Sequence, residues 1–305
     1  MIADKSEMVR TSIIIPAFNE AENLTRILPP VLAQVGPMDE VIVVDNGSLD
    51  GTANVASTWG VLVVKESVRG RSRARNKGIE SSRGKVLVFL DADCHPSPDW
   101  LHNLLMPFDK SEVGCVAGEI RILNSGTRLG RYLNSKGHLS QQVNFAHPFL
   151  PYAGSGNVAF RREILEQIGG FDEELYSGHD ADICWRMQLE TNYQIVLSSD
   201  AVVDHHQTLT FPALVRQKRR HAYGAVLLYK KYKDRRNLEN RCFKTVYWEY
   251  RSIFKRALRF LVNPAAVRFG VARALPSEQG YQLLMEISEK VGRIEGSIQQ
   301  RVWYP

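Results

Sequence analysis

From its start to about Ser111 the chain repeats one pattern four times: a short apolar run, a polar turn, then a stretch with helical spacing. The pairs are "SIIIPAF" with "NEAENLTRIL", "VIVVDNGS" with "DGTANVASTW", "VLVVKES" with "RSRARNKGIESS", and "KVLVFLDADC" with "PDWLHNLL". Runs rich in Val and Ile, with no polar alternation, suit strands buried on both faces. Strands alternating with helices of about ten residues make right-handed βαβ units and a mostly parallel sheet flanked by helices. The expected class is therefore α/β. In such a sheet ligands gather beyond the carboxyl ends of the strands, and Asn19, Glu20, Asp45, Asn46, Glu66, Asp91 and Asp93 all fall at that edge.

The fourth run poses a problem in electrostatics. Five apolar residues, Val86 to Leu90, end on two aspartates one residue apart. Carboxylates brought together at a sheet edge repel and lose hydration, so they need a cation or a strongly polar setting to stay ionised. A second reading is that Asp91 and Asp93 cap the next helix, for which Ser97 and Asp99 are equally able.

Size and composition bound the rest. A chain of 305 residues, 44% hydrophobic and 24% charged, buries a sizeable core and suits one large domain or one with an appendage. Cys94, Cys115, Cys184 and Cys242 are scattered, which suggests neither a zinc site nor a disulfide framework and fits a reducing compartment. The opening "MIADKSEMVR" has no apolar block, and no run of about 18 apolar residues occurs, so neither a signal peptide nor a membrane span is expected. Asn19 and Asp50 read as helix caps, and Pro29 with Pro30 should end or kink the first helix. The segment Gly114 to Phe160 mixes strand candidates, "CVAGEIRIL" and "NVAFRR", with loop-like stretches. From Phe211 onward the pattern is helical and amphipathic.

The order of five pieces resembles the family 2 glycosyltransferases of the GT-A fold. They are "SIIIPAFNEAENL", "VIVVDNGSLDGT", "GRSRARNKGIESSRGKVLVFLDADC", "GSGNVAFRREILEQIGGFDEEL" and "GHDADICWRM", together spanning roughly residues 12 to 210. The resemblance implies a Rossmann-like sheet in a catalytic domain over 1–210, with nucleotide-sugar binding in about 1–115 and an acceptor side in about 116–210. Residues 211–305 would form a basic helical extension. It further implies an inverting, metal-dependent hexosyltransferase that moves a sugar from a nucleotide-sugar, a UDP-sugar foremost, to a hydroxyl acceptor such as a lipid-linked or cell-envelope saccharide.

The same resemblance assigns residues. Asp91 and Asp93 match the D-x-D pair, with Asp93 as metal ligand and Asp91 toward the ribose or a metal-bound water. Carboxylate ligands suit Mn²⁺ or Mg²⁺ bound alongside phosphates. Pro16, Ala17 and Glu20 match the first nucleotide-contacting loop, and Asp45 with Asn46 the base and ribose end. Many relatives carry a second aspartate facing the base at position 46, whereas Asn46 both donates and accepts. Arg75 matches the donor contact of the "ARN" motif, and Arg71 or Arg73 approaches the diphosphate or lies on a solvated face. Asp180 matches the general base; the family's preceding glutamate is replaced by His179, whose protonation would lower the Asp180 pKa. Gly154, Ser155 and Gly156 wall the donor sugar and acceptor, the alternative being an ordinary tight turn. His179, Asp182 and Trp185 fall on the acceptor side, Asp182 reading equally as a helix N-terminal charge. His205 of "VVDHHQ" matches the histidine that completes the metal's ligand set in several relatives.

Net charge is +6, but fifteen Lys or Arg stand against three acids between Val215 and Phe260. Interleaved aromatics and leucines make that stretch suit an anionic membrane surface. Its apolar face equally suits packing on the catalytic domain or on a second copy in a homodimer. The expected setting is cytoplasmic, peripheral on the inner face of the membrane. Two other classes share features: a D-x-D phosphohydrolase, which usually carries its aspartates on the first strand, and a basic nucleic-acid-binding protein, which leaves the acidic sheet edge unexplained. No nucleic-acid partner is expected.

Overall fold

The computed structural model describes residues 10–123, 126–206, 210–235, 243–262 and 277–304. The opening residues 1–9, and 236–242 of the basic stretch with Cys242, lie outside the described residues. The strands are β1 Thr11–Ala17, β2 Asp39–Asp45, β3 Leu62–Lys65, β4 Val86–Leu90, β5 Cys94–Pro96, β6 Val113–Ile122, β7 Asn157–Arg161 and β8 Gln194–His205. The helices are α1 Ala21–Leu32, α2 Thr52–Thr58, α3 Arg71–Ser81, α4 Trp100–Leu105, α5 Arg128–Ser135, α6 Gln141–Phe145, α7 Arg162–Ile168 and α8 His179–Glu190. They continue with α9 Phe211–Tyr232, α10 Phe243–Leu261 and α11 Glu278–Gln300. Two compact units result, Met1–Leu123 with Leu139–Gln207 and Asn124–His138 with Thr208–Pro305.

In the first unit one sheet runs β3-β2-β1-β4-β7-β6-β8-β5. The pairs β1–β2, β1–β4, β2–β3 and β6–β8 are parallel, while β7 and β5 pair antiparallel with their neighbours. The mostly parallel sheet with flanking helices is thus present, with antiparallel strands added in its second half. Successive side chains go to opposite faces. Ile13, Ile15, Val43, Val88 and Leu90 join the cluster that holds Leu24 and Leu28 of α1 and Trp100 of α4. Ile14, Ile42, Val44, Leu87 and Phe89 join the one holding Ala74 of α3, Leu165 of α7 and Ile183 of α8. Two-sided burial is what the uninterrupted apolar runs require.

Three local expectations change. Pro29 and Pro30 do not themselves end α1: the helix runs on to Leu32, both prolines lying in its closing turns. Asn19 is no cap, since it adopts φ 56° and its Oδ1 accepts from Leu49 N at 2.8 Å. Asp50 caps two helices instead, accepting from Thr52 N at 2.9 Å and from Ala21 N at 3.2 Å. Between the D-x-D and α4 the chain forms a further strand, β5, before turning helical.

The second unit is helical. α9 and α11 lie backbone to backbone, because a Cβ on Gly292 would sit 2.1 Å from the Arg219 carbonyl oxygen and one on Gly296 2.9 Å from Val226. Arg219 pairs with Glu295, and Tyr223 donates to Gln299 at 3.0 Å. The α9 half of the basic stretch therefore packs on the chain's own α11. No helix among the described residues is long and apolar enough to cross a membrane.

Candidate active site

Parallel pairing in register brings Ala17 opposite Asp45, so the ends of β1 and β2 open at one level. Asp45 is buried and its Oδ1 accepts from Ser48 N at 3.0 Å, fixing the "DNGS" turn. Asn46 departs from the expectation that it faces a base. Its Nδ2 donates to Glu66 O at 3.1 Å and Val68 O at 2.8 Å, and its Oδ1 accepts from Gly70 N at 2.8 Å. The side chain latches the loop that leads into α3. Pro16 and Ala17 close β1, and Arg69 from the latched loop lies over the Phe18 ring, 3.3 Å from its centroid.

The sheet order reverses at β1 and β4, and the D-x-D sits there. Asp91 N donates to Gly156 O at 3.2 Å, and a Cβ on Gly156 would come 3.0 Å from Asp91 Oδ2. A side chain at 156 would press on this carboxylate, so glycine suits the close approach of the 154–156 loop. Asp91 Oδ1 accepts from Arg75 Nη2 at 2.6 Å. The one-residue step to Asp93 is completed by pairing of β5 with β8, which sets Cys94 opposite His205. As a result Asp93 Oδ2 and His205 Nε2 lie 3.2 Å apart, and His206 N donates to Asp93 O at 2.9 Å.

The electrostatics follow from this gathering. At Asp93 burial acts to raise the pKa, but the hydrogen bond and charge of His205 outweigh it and hold the carboxyl below its ordinary range. For His205 burial acts to lower the pKa; Asp93, Asp91 and Glu20 overcome it and raise the imidazole. Glu20 is raised by burial first, against a hydrogen bond from Asn23, and then by the like charges of Asp93, Asp91 and Asp50. Among the described residues, Asp93, Cys94 and His205 have donor atoms within 4.8 Å of one another. Burial pushes the Cys94 thiol well up, so it stays protonated and leaves Asp93 oxygen and His205 nitrogen as donors. Oxygen with imidazole suits Mn²⁺ or Mg²⁺ better than a thiolate-seeking ion. His205 Nδ1 is a buried polar atom with no hydrogen-bond partner among the described residues.

Arg75, 3% exposed, joins this edge to a second carboxylate. α8 opens on Gly178, in the left-handed region at φ 90°, and presents His179 and Asp180 in its first turn. Asp180 Oδ1 accepts from Ser155 N at 3.1 Å and lies 3.4 Å from His179 Nε2. Burial raises the Asp180 pKa, yet His179, Arg75 and Ser155 together bring it below the ordinary carboxylate value. His179 itself is pushed down by burial, against the pull of Asp180 and with Arg75 and Arg71 adding to the fall. His179 is therefore a neutral imidazole near pH 7. With that ring neutral, Arg75 and the Ser155 hydrogen bond account for the lasting part of the Asp180 shift.

Two residues expected on the acceptor side are spent on packing. Asp182 is fully buried and binds Arg186 Nε at 2.8 Å, while that guanidinium also donates to Ile168 O and Gly170 O. Trp185 is 2% exposed, donates to Leu150 O at 2.9 Å, and holds His147 and Phe149 at centroid distances of 5.1 and 4.9 Å. Arg73 pairs with Glu173 at 2.8 Å, on the solvated side. Gly154 N donates to Gln141 Oε1 at 2.8 Å.

Sequence reasoning missed two supports. Tyr152 is pushed up to about 12, by burial first and then by the charge of Asp180, which marks it as a neighbour of that carboxylate. Asn157, 0% exposed, accepts from Trp100 Nε1 at 2.8 Å and donates to Glu119 O at 3.0 Å and Ala201 O at 2.8 Å. It ties α4, β6 and β8 together behind the loop 154–156. Its only signal in the sequence is a lone polar residue at the start of the apolar run "NVAF".

The model described as glycosyl transferase family 2 matches residues 12–169. Glycosyltransferase AglE of Haloferax volcanii is 31% identical over 229 residues, covering 72% of this chain and 73% of that protein. A pre-mycofactocin glycosyltransferase of Mycobacterium tuberculosis is also 31% identical, over 65% of this chain but only 43% of its own length. Among solved structures, a Pyrobaculum calidifontis mannosyltransferase in complex with GDP-Man and Mn²⁺ superposes with a TM-score of 0.65 at 20% identity, over 95% of this chain and 88% of that one. The glucosyl-3-phosphoglycerate synthase of M. tuberculosis in complex with Mn²⁺, UDP and phosphoglyceric acid gives 0.55 at 19% identity, over 72% and 78%. At these identities the two likenesses speak for the fold.

Proposed function

Since the chain belongs to glycosyl transferase family 2, we propose that it is a metal-dependent, inverting hexosyltransferase that uses a UDP-sugar and a hydroxyl acceptor carried on a lipid or at the membrane surface. The observation that carries this reading is the line of groups at one sheet edge: His205 on Asp93, Asp91 on Arg75, and Asp180 under the same cation.

Asp93 and His205 would hold Mn²⁺ or Mg²⁺, which, when bound, offsets negative charge on the nucleoside diphosphate as it departs. Asp45 and the Pro16–Glu20 loop flank the base and ribose. Arg75 keeps Asp91 oriented, and the backbone of Gly154, Ser155 and Gly156 lines the sugar's side. The acceptor oxygen attacks the anomeric carbon, its proton passes to a carboxylate oxygen of Asp180, and the bond from that carbon to the phosphate oxygen breaks. A single displacement inverts the centre. Asp180 suits the task because its depressed pKa keeps it ionised across the neutral range. His179, buried beside it with Nε2 3.4 Å from Oδ1, restricts the carboxylate's position.

The enzyme is proposed to work in the cytoplasm, attached to the inner membrane face through the region 215–260; a homodimer is the alternative use of that apolar surface. A panel of UDP- and GDP-sugars with Mn²⁺ or Mg²⁺, scored for hydrolysis and thermal stabilisation, tests the donor reading. Stabilisation by a UDP-sugar only with metal supports it, and a response to GDP-mannose alone replaces the base. Indifference to every pair overturns it.

A further inference from the structure

Helix α10 carries two apolar faces where a helix packed on one neighbour needs one. Val246 and Phe260 are buried, and on the same face Arg256 pairs with Glu286 and Glu249 with Lys290 of α11. A second side of the helix is open. Tyr247, Trp248, Phe254, Leu258, Leu261 and Val262 are 50 to 70% exposed. Tyr247, Phe254, Leu258 and Leu261 follow one another at steps of seven, four and three residues, which keeps them on one side of the helix.

Charge says what this stripe meets. Arg251, Lys255 and Arg259 are all exposed and recur every fourth residue, forming a second stripe alongside the first. Arg251 lies over the Trp248 ring at 4.8 Å. Among its described side chains the one acid of α10, Glu249, is turned away to Lys290. A protein partner's apolar patch would leave three cations at the rim unmatched, whereas an anionic bilayer supplies phosphate to the bases and acyl chains to the stripe. α9 differs in having no large apolar residue among the exposed ones, and two of its bases are engaged, Arg219 by Glu295 and Lys230 by Gln300 at 3.2 Å. The exposed stripe of α11, Ile287, Val291, Ile294 and Ile298, runs beside Glu295 and Glu289 rather than bare cations.

We infer that the outer face of α10 is the element that inserts into the surface of an anionic bilayer, Phe254 and Leu258 entering between headgroups while Arg251, Lys255 and Arg259 bind lipid phosphate. This rests on the membrane attachment proposed above and narrows it to one helix face.

The test is flotation of the full chain with vesicles of phosphatidylcholine, with and without phosphatidylglycerol. Wild type is expected to float with the anionic vesicles only. The R251Q/K255Q/R259Q variant should lose on the order of a hundredfold in partition, and F254S/L258S on the order of tenfold or more. Both should melt at the wild-type temperature and hydrolyse nucleotide-sugar at the wild-type rate. If wild type stays soluble with both vesicle types, membrane attachment itself fails. If wild type floats and both variants float equally well, attachment stands and the α10 assignment is wrong. Equal flotation with neutral vesicles contradicts the charge argument, and a shift of F254S/L258S from dimer to monomer in solution assigns the stripe to a second copy.

Discussion

Replacing Asp180 by asparagine separates catalysis from architecture. The amide keeps an oxygen where Oδ1 accepts from Ser155 N at 3.1 Å, so the loop 154–156 retains its anchor. It cannot take a proton. General-base assistance contributes roughly 10²- to 10⁴-fold, so kcat for transfer should fall by that factor, about 3 to 5 kcal/mol at about 1.4 kcal/mol per tenfold. Donor affinity should hold, since Asp93, His205 and Asp45 are untouched, and lost hydrogen-bond strength at Ser155 should cost folding only about 1 kcal/mol. Single-turnover release of nucleoside diphosphate in the presence of acceptor, beside nucleotide binding by thermal shift, reads both quantities. The reasoning is refuted if Asp180→Asn binds nucleotide as poorly as Asp93→Ala, or if it transfers at the wild-type rate.

The same site gives a pH prediction whose sign is fixed. Arg75 is one of the groups holding Asp180 below the ordinary carboxylate value against burial; Arg75→Met should raise that pKa and move the acid limb of kcat/KM to higher pH, while an unmoved limb would detach Arg75 from the base. Gly292→Ala places a Cβ 2.1 Å from the Arg219 carbonyl. The clash, about 1–3 kcal/mol, should exceed the helix-propensity gain of about 1 kcal/mol, so urea titration should find the variant less stable; a gain would mean α9 and α11 separate freely. Asn157→Ala strands the Trp100 indole and two carbonyls, and at about 1–3 kcal/mol for each buried group its denaturation midpoint should drop sharply, with no drop contradicting the network.

The sheet and its acidic edge are legible in the sequence because both are local signals. Runs such as Val86 to Leu90 need only their own composition to declare two-sided burial, and the D-x-D follows the run directly. What escapes are features made by distant pairings. Nothing around Asn46 announces that the Glu66–Gly70 loop will consume its side chain. Asn157 shows its value only once Trp100, Glu119 and Ala201 converge on it. Whether a protonated or neutral His179 faces Asp180 depends on burial, which no motif states. The prolines of α1 misled for a simpler reason: each removes only its own donor, and the carbonyl of Pro29 still accepts from Ala33 N at 3.0 Å, so the last turn closes past them.

Calorimetric titration of Mn²⁺ into the protein with saturating UDP, in wild type and Asp93→Ala, tests the central claim most directly. The account predicts saturable, nucleotide-dependent uptake by wild type and its loss in the variant. Absence of uptake by wild type, or equal uptake by both, would contradict it.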